Sequence, residues 1–241
     1  MAEWKERYEE IQPKLEKKRF YLSRESFSKE RLRVLKEEFG KFQENHPEVL
    51  ALNLYGSMTK GYAKPESDID GYFFLSGDAE NPSDLAEDFK NTVSGRLEGV
   101  GLSFQLRRLN EGELESVIDS IVEDYNREKS ILPYTSMESA VGYFGNKCER
   151  MAELFIGISL GNGLKQYREN MLFKLQSLGE PGEKIWHKIV EVIMLLERPK
   201  MRPGFADSGV RQEKYKALYP QTVEEAIKNF VEHKPFRQKY R

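Results

Sequence analysis

Three short stretches with strand patterning, set between helical stretches, do most to limit the folds open to this chain. "LALNLYG" (50–56) is an apolar run that follows Pro47, which ends the helical pattern before it. "DIDGYFFL" (68–75) turns from carboxylates to aromatics. "VGLSFQLRRLN" (100–110) alternates, placing Leu102, Phe104 and Leu106 on one face and Ser103, Gln105 and Arg107 on the other. Between the second and third runs, Asn81 is placed to cap a helix, Pro82 suits its first position, and Leu85, Phe89, Val93 and Leu97 recur every four residues. Ahead of the first run, Leu32, Leu35, Phe39 and Phe42 mark an amphipathic helix with Ser28 as its expected N-cap. From residue 111 onward only helical periods are read: "ELESVIDSIVEDY", "CERMAELFIGISL", "EKIWHKIVEVIMLLE" and "VEEAIKNFVEH", the last preceded by a Thr222 to Glu225 capping box. The expected fold class is α+β: an N-terminal helical extension (1–45), a small mixed β-sheet core with helices on one face (46–112), and a C-terminal helical domain (113–241).

With 241 residues, 39% of them hydrophobic and 32% charged, the chain is long enough to bury a core without staples. No apolar run approaches the roughly 20 residues that span a bilayer, so no membrane partner is expected. The charged opening "MAEWKERYEE" and the single cysteine, Cys148, lead to the expectation of a cytoplasmic protein in a reducing compartment. His46, His187 and His233 lie too far apart in sequence for a zinc motif. Thirty-eight basic and 40 acidic residues leave a formal charge of −2, so no global field draws in nucleic acid, and any charged ligand must be recognised locally.

The local chemistry concentrates in "LNLYGSMTKGYAKPESDIDGYFFL" (52–75). On a strand, residues i and i+2 share a face, so Asp68 and Asp70 project together, about 7 Å apart along the backbone. Two neighbouring carboxylates repel, and a divalent cation removes that cost. An oxygen-only pair suits Mg²⁺ or Mn²⁺, which take one or two carboxylates plus substrate phosphates. Upstream, Gly56 permits close backbone approach, Ser57 offers a hydroxyl and an amide, and Lys60 adds a cation for a triphosphate. Set against this is the reading of "KPESD" as a solvated turn before a strand. The Gly-Ser pair at its distance favours the phosphate and metal reading.

"GSMTKGYAKPESDID" resembles the signature of the polymerase-β-like nucleotidyltransferases, a Gly-Ser followed after about ten residues by Asp-x-Asp on the next strand. Gly61 and Ser67 look like the small minimal and antibiotic nucleotidyltransferases of that superfamily. The resemblance implies catalytic and metal-binding roles for Asp68 and Asp70, and nucleotide binding by Gly56, Ser57, Lys60 and Ser67. The nucleoside triphosphate would be the substrate and Mg²⁺ (or Mn²⁺) the cofactor. It also implies a third carboxylate on the following strand, where this chain has Gln105; Gly71 stands where most relatives carry an aliphatic residue. In some antibiotic nucleotidyltransferases the base is a C-terminal glutamate, which makes Glu149 and Glu153 candidates beside the third-strand position of Gln105. The acidic series Glu111, Glu115, Asp119 and Glu123, at i+4 steps, suits a cationic hydroxyl-bearing acceptor such as an aminoglycoside or, more simply, a solvated face. Two functions stay open: transfer of a nucleoside monophosphate to a hydroxyl acceptor, or a catalytically impaired nucleotide-binding or regulatory module of antitoxin-like kind.

Overall fold

A computed structural model describes residues 26–60, 63–128, 148–196 and 219–232. The part of the expected N-terminal extension before Ser26 lies outside these residues. The described chain forms two compact units. The first holds the residues through Leu109 together with Gly157–Leu164; the second holds Asn110–Ile156 and the described residues from Lys165 onward.

The first unit runs α1 (Ser26–Asn45), β1 (Val49–Tyr55), α2 (Ser57–Lys60), β2 (Ile69–Ser76), α3 (Pro82–Ser94), β3 (Leu102–Leu109) and β4 (Ile158–Leu160). The strands form one mixed sheet of order β3-β2-β1-β4, with β2 parallel to β3 and β1 antiparallel to both β2 and β4. This is the α+β architecture that the patterning predicts.

The apolar stripes on α1 and α3 meet one face of the sheet. Leu32, Leu35, Phe39 and Phe42 from α1, and Leu85, Phe89 and Val93 from α3, share a buried cluster with Leu52, Leu54, Ile69, Phe73, Leu75 and Phe104. Phe89 centres it, edge-on to Phe39 with ring centroids 5.6 Å apart and 5.8 Å from Phe104. Burying such a ring contributes about 1.5 to 3 kcal/mol. Gly71 belongs here, since a Cβ on it would come within 2.8 Å of Leu52 Cδ1 and 3.2 Å of Phe104 Cδ1. The opposite face carries Asn53, Tyr55, Asp70, Tyr72, Ser103, Gln105 and Arg107 by the alternation of the strands.

Two local expectations are corrected. Ser28 lies inside α1 rather than capping it, because the helix begins at Ser26, and its hydroxyl is buried. Asn81 does occupy the cap position of α3, with Pro82 following, but in a left-handed conformation with no side-chain bond; its carbonyl accepts from Asp84 N and Leu85 N.

The larger correction concerns β4. "CERMAELFIGISL" reads as helix throughout, yet Ile158–Leu160 is a strand paired with Leu52–Leu54 of β1, so the sheet unit takes back residues 157–164 from the helical half. The strand is only three residues long, below the length at which a period of two can be told from one of 3.6. The flanking Gly157 and Gly161 were the available signal.

The second unit contains α4 (Glu111–Glu128), α5 (Lys165–Ser177), α6 (Glu180–Leu196) and α7 (Val223–Phe230). Its core includes Ile118 and Ile121 of α4, Leu172 and Leu175 of α5, and Trp186 of α6, whose ring lies 5.3 Å from that of Phe155. Thr222 caps α7 as its sequence predicts, accepting from Glu225 N at 3.1 Å, while the Glu225 carboxylate reaches back to Gln221 N. Cys148 is buried in this core.

Candidate active site

The candidate site forms where β1 ends and β2 and β3 begin. Tyr55, the last residue of β1, lies opposite Asp70, and Asp70 has Ser103 of β3 on its other side. Gly56 follows at φ +83°, a backbone state that costs an L-residue roughly 1 to 2 kcal/mol. That turn sends the chain into the single helical turn of α2, which opens with Ser57. Thr59 fastens the turn from within, donating its hydroxyl to Gly56 O at 3.1 Å. A Cβ at Gly56 would come within 2.5 Å of Asp70 Oδ2, so the half-buried Asp70 carboxylate lies directly against the Gly56 backbone.

Asp68 is one residue ahead of β2, not within it. Ile69 N donates to Gly101 O at 2.8 Å, and a Cβ on Gly101 would overlap the Asp68 carboxylate, coming within 2.7 Å of its Cγ. Both carboxylates thus rest on glycine backbones, Asp70 toward the β1 side and Asp68 toward the β3 side, at one end of the sheet. Ser67 has its Oγ engaged as acceptor for Lys64 N at 2.9 Å, which shapes the loop before Asp68. Lys60 is the last residue of α2.

Sequence reasoning passed over Arg31 of α1. Its side chain is almost fully buried and donates to Ser67 O at 3.0 Å and to Pro65 O, with its guanidinium 5.0 Å from the Phe27 ring centre. Burial lowers its pKa from the ordinary arginine value, and the nearby carboxylates of Asp68 and Glu66 oppose that shift. The available signal was position: Arg31 stands four residues before Leu35 on the buried stripe of α1, where an apolar residue is expected.

The register also refines the third-strand position. Ser103 stands directly beside Asp70, while Gln105 stands beside Tyr72, one pleat further on. Gln105 donates to Tyr55 Oη at 3.1 Å and accepts from Arg107 at 3.0 Å. Tyr55 and Tyr72 stack at 4.9 Å, and Arg107 lies 4.8 Å over the Tyr72 ring. Gln105 is therefore part of a polar and aromatic lattice adjoining Asp70.

Glu149 and Glu153 belong to the second unit, where Glu149 is half-buried and Glu153 is buried. The acidic face of α4 is partly matched inside that unit: Lys174 meets Asp119 at 2.7 Å and donates to Glu115 O, and Arg150 pairs with Glu113.

Among the described residues no group of three or more His, Cys, Asp or Glu gathers in a metal-binding cluster. Two carboxylates resting on glycine backbones make an oxygen-only donor set, the chemistry that suits Mg²⁺ or Mn²⁺. The family model described as polymerase beta nucleotidyltransferase matches residues 37–126, a span that begins in α1 and takes in β1, β2 and β3. No curated protein and no solved structure matches the chain.

Proposed function

We propose, starting from a polymerase-β-like nucleotidyltransferase domain within residues 37–126, that this chain transfers a nucleoside monophosphate from a nucleoside triphosphate to a hydroxyl-bearing small molecule. The observation that carries the reading is the packing of the Asp70 carboxylate against the Gly56 backbone at the mouth of β1. It sets one member of the acidic pair, Asp70, against the Gly-Ser turn, which supports reading the two parts of the signature as one site.

In this reading Asp68 and Asp70 hold a Mg²⁺ or Mn²⁺ ion, which supplies charge neutralisation along the triphosphate. Ser57 and the Gly56 backbone hold the terminal phosphates, with Lys60 as a further cation and Ser67 shaping the loop beside them. The acceptor oxygen forms a bond to the α-phosphorus as the bond from that phosphorus to the β-phosphate oxygen breaks, and pyrophosphate leaves with the electron pair. The acceptor proton goes to a base. Gln105 cannot serve, since an amide does not take up a proton near neutral pH. Glu149 and Glu153 stay the candidates for it that the resemblance suggests.

A cationic acceptor such as an aminoglycoside draws its support from the α4 carboxylates, which Lys174 and Arg150 only partly offset. A second reading, a nucleotide-binding module without turnover, draws its support from Ser103 standing beside Asp70 and an amide one pleat further on.

The test is transfer of label from a nucleotide labelled at the α-phosphate, with Mg²⁺ and a panel of hydroxylated acceptors, run beside calorimetric titration of the nucleotide. Transfer that disappears in Asp68→Ala and Asp70→Ala supports the enzyme. Nucleotide binding with no transfer to any acceptor supports the binding module. Absence of both removes the two readings together.

A further inference from the structure

We infer that Arg31 is a positioning residue for the metal-binding carboxylate of Asp68, acting from α1 through the backbone of the loop that precedes β2. The inference rests on the nucleotidyltransferase reading of Asp68 and Asp70.

Asp68 lies outside the β2 ladder, so the ladder alone does not set where its carboxylate points. Four bonds brace the approach of the chain to it, the first from Ser67 N to Lys64 O at 3.0 Å. Ser67 Oγ accepts from Lys64 N, Ser67 O accepts from Arg31 Nη1, and Pro65 O accepts from Arg31 Nη2. Two of the four come from one guanidinium, whose planar fork presents parallel donors to neighbouring acceptors. Arg31 is itself fixed, because α1 packs on the sheet through Leu32 and Leu35, which directly follow it on the buried stripe. The helix position is thereby conveyed to the residue just before Asp68. On the far side Gly101 supplies the other wall, its carbonyl holding Ile69 N.

Arg31 reaches the loop through the backbone carbonyls of Ser67 and Pro65, so its role is positioning rather than catalysis. Its charge does not favour a metal ion, since a cation close to Asp68 opposes a second cation. Its contribution is orientation, and the two effects have opposite signs. If charge dominated, removing the guanidinium would tighten metal binding. If orientation dominates, removal loosens it, as loss of groups that orient metal ligands does, by about 10-fold or more.

The experiment uses the full chain and Mn²⁺ as the probe, with binding followed by electron paramagnetic resonance in the presence of a non-hydrolysable nucleoside triphosphate, and thermal unfolding measured on the same samples. Arg31→Met is expected to raise the Mn²⁺ dissociation constant by about 10-fold while the protein stays folded. Arg31→Lys keeps a charge and the buried stem but cannot span both carbonyls, so it is expected to fall between wild type and Arg31→Met. It also serves where the methionine variant does not fold. Mn²⁺ binding unchanged within about twofold, or tightened, in a folded variant overturns the inference and leaves the nucleotidyltransferase reading standing. Wild type that binds neither Mn²⁺ nor nucleotide overturns both.

Discussion

Asp68 and Asp70 stand two residues apart, yet different forces hold them. Asp70 lies inside β2 between Tyr55 and Ser103, so its backbone is set by a ladder of bonds on both sides, none of which dominates. Asp68 lies on a loop and depends on a few contacts, two of them from a single arginine. A ladder position therefore yields only when the sheet yields. A loop position can be lost by one substitution that leaves the sheet intact.

The largest effect comes from removing either carboxylate. Asp70→Ala and Asp68→Ala should each lower transfer about 10³-fold, the several kcal/mol expected from losing a metal ligand at a developing phosphoryl charge. Both variants should unfold at nearly the wild-type temperature, because Asp68 is exposed and Asp70 faces away from the apolar cluster. Activity and melting curves check this together, and a variant that loses transfer only by unfolding would refute the assignment.

Next come the two glycines, which separate the held carboxylates more finely. Gly56→Ala meets two penalties: a positive φ costing roughly 1 to 2 kcal/mol and a Cβ 2.5 Å from Asp70 Oδ2. The half-buried Asp70 carboxylate has less freedom to move aside than an exposed one, so the variant should lose both melting temperature and nucleotide affinity. Gly101→Ala meets only the exposed Asp68 carboxylate, which can swing away. Its stability should stay within about 0.5 kcal/mol of wild type while its Mn²⁺ affinity falls. Equal stability losses in the two variants would erase the contrast between ladder and loop.

What the sequence conveyed about this site follows the same division. Gly56, Ser57 and the acidic pair are legible as candidates because their local structure depends on neighbours along the chain: a turn, a short helix and a strand with a period of two. The stripes of α1 and α3 are legible for the same reason. Arg31 is not, since its partners are backbone carbonyls 34 and 36 residues away, and a carbonyl leaves no mark on residue identity. Gly101 is silent too, because its role is to lack a side chain beside Asp68. The offset between Gln105 and Asp70 depends on register between β2 and β3, which alternation fixes only to the face and not to the rung. β4 was hidden by its length, and the pairing that makes it a strand lies about a hundred residues upstream in β1.

The smallest effect tests whether Arg31 acts on the loop or only through the stability of its helix. Seven residues beyond Arg31, Glu38 accepts from Arg96 at 2.6 Å and from Lys41 at 2.9 Å. These partners hold its carboxyl below the ordinary value of 4.5, with Lys41 the larger cause. A carboxylate with a depressed folded pKa stabilises the native state above its unfolded pKa, and that stabilisation fades as the pH falls from about 4.5 through the lower folded value. Glu38→Gln should therefore cost about 0.5 kcal/mol at pH 7, and the gap to wild type should close progressively below about pH 4.5. Its Mn²⁺ binding at pH 7 should match wild type, because α1 is weakened at a point that does not touch the loop. A loss of Mn²⁺ affinity in Glu38→Gln comparable to that in Arg31→Met would mean that the site senses the helix as a whole, and the loop-borne carboxylate would then be held no more locally than the one in the ladder.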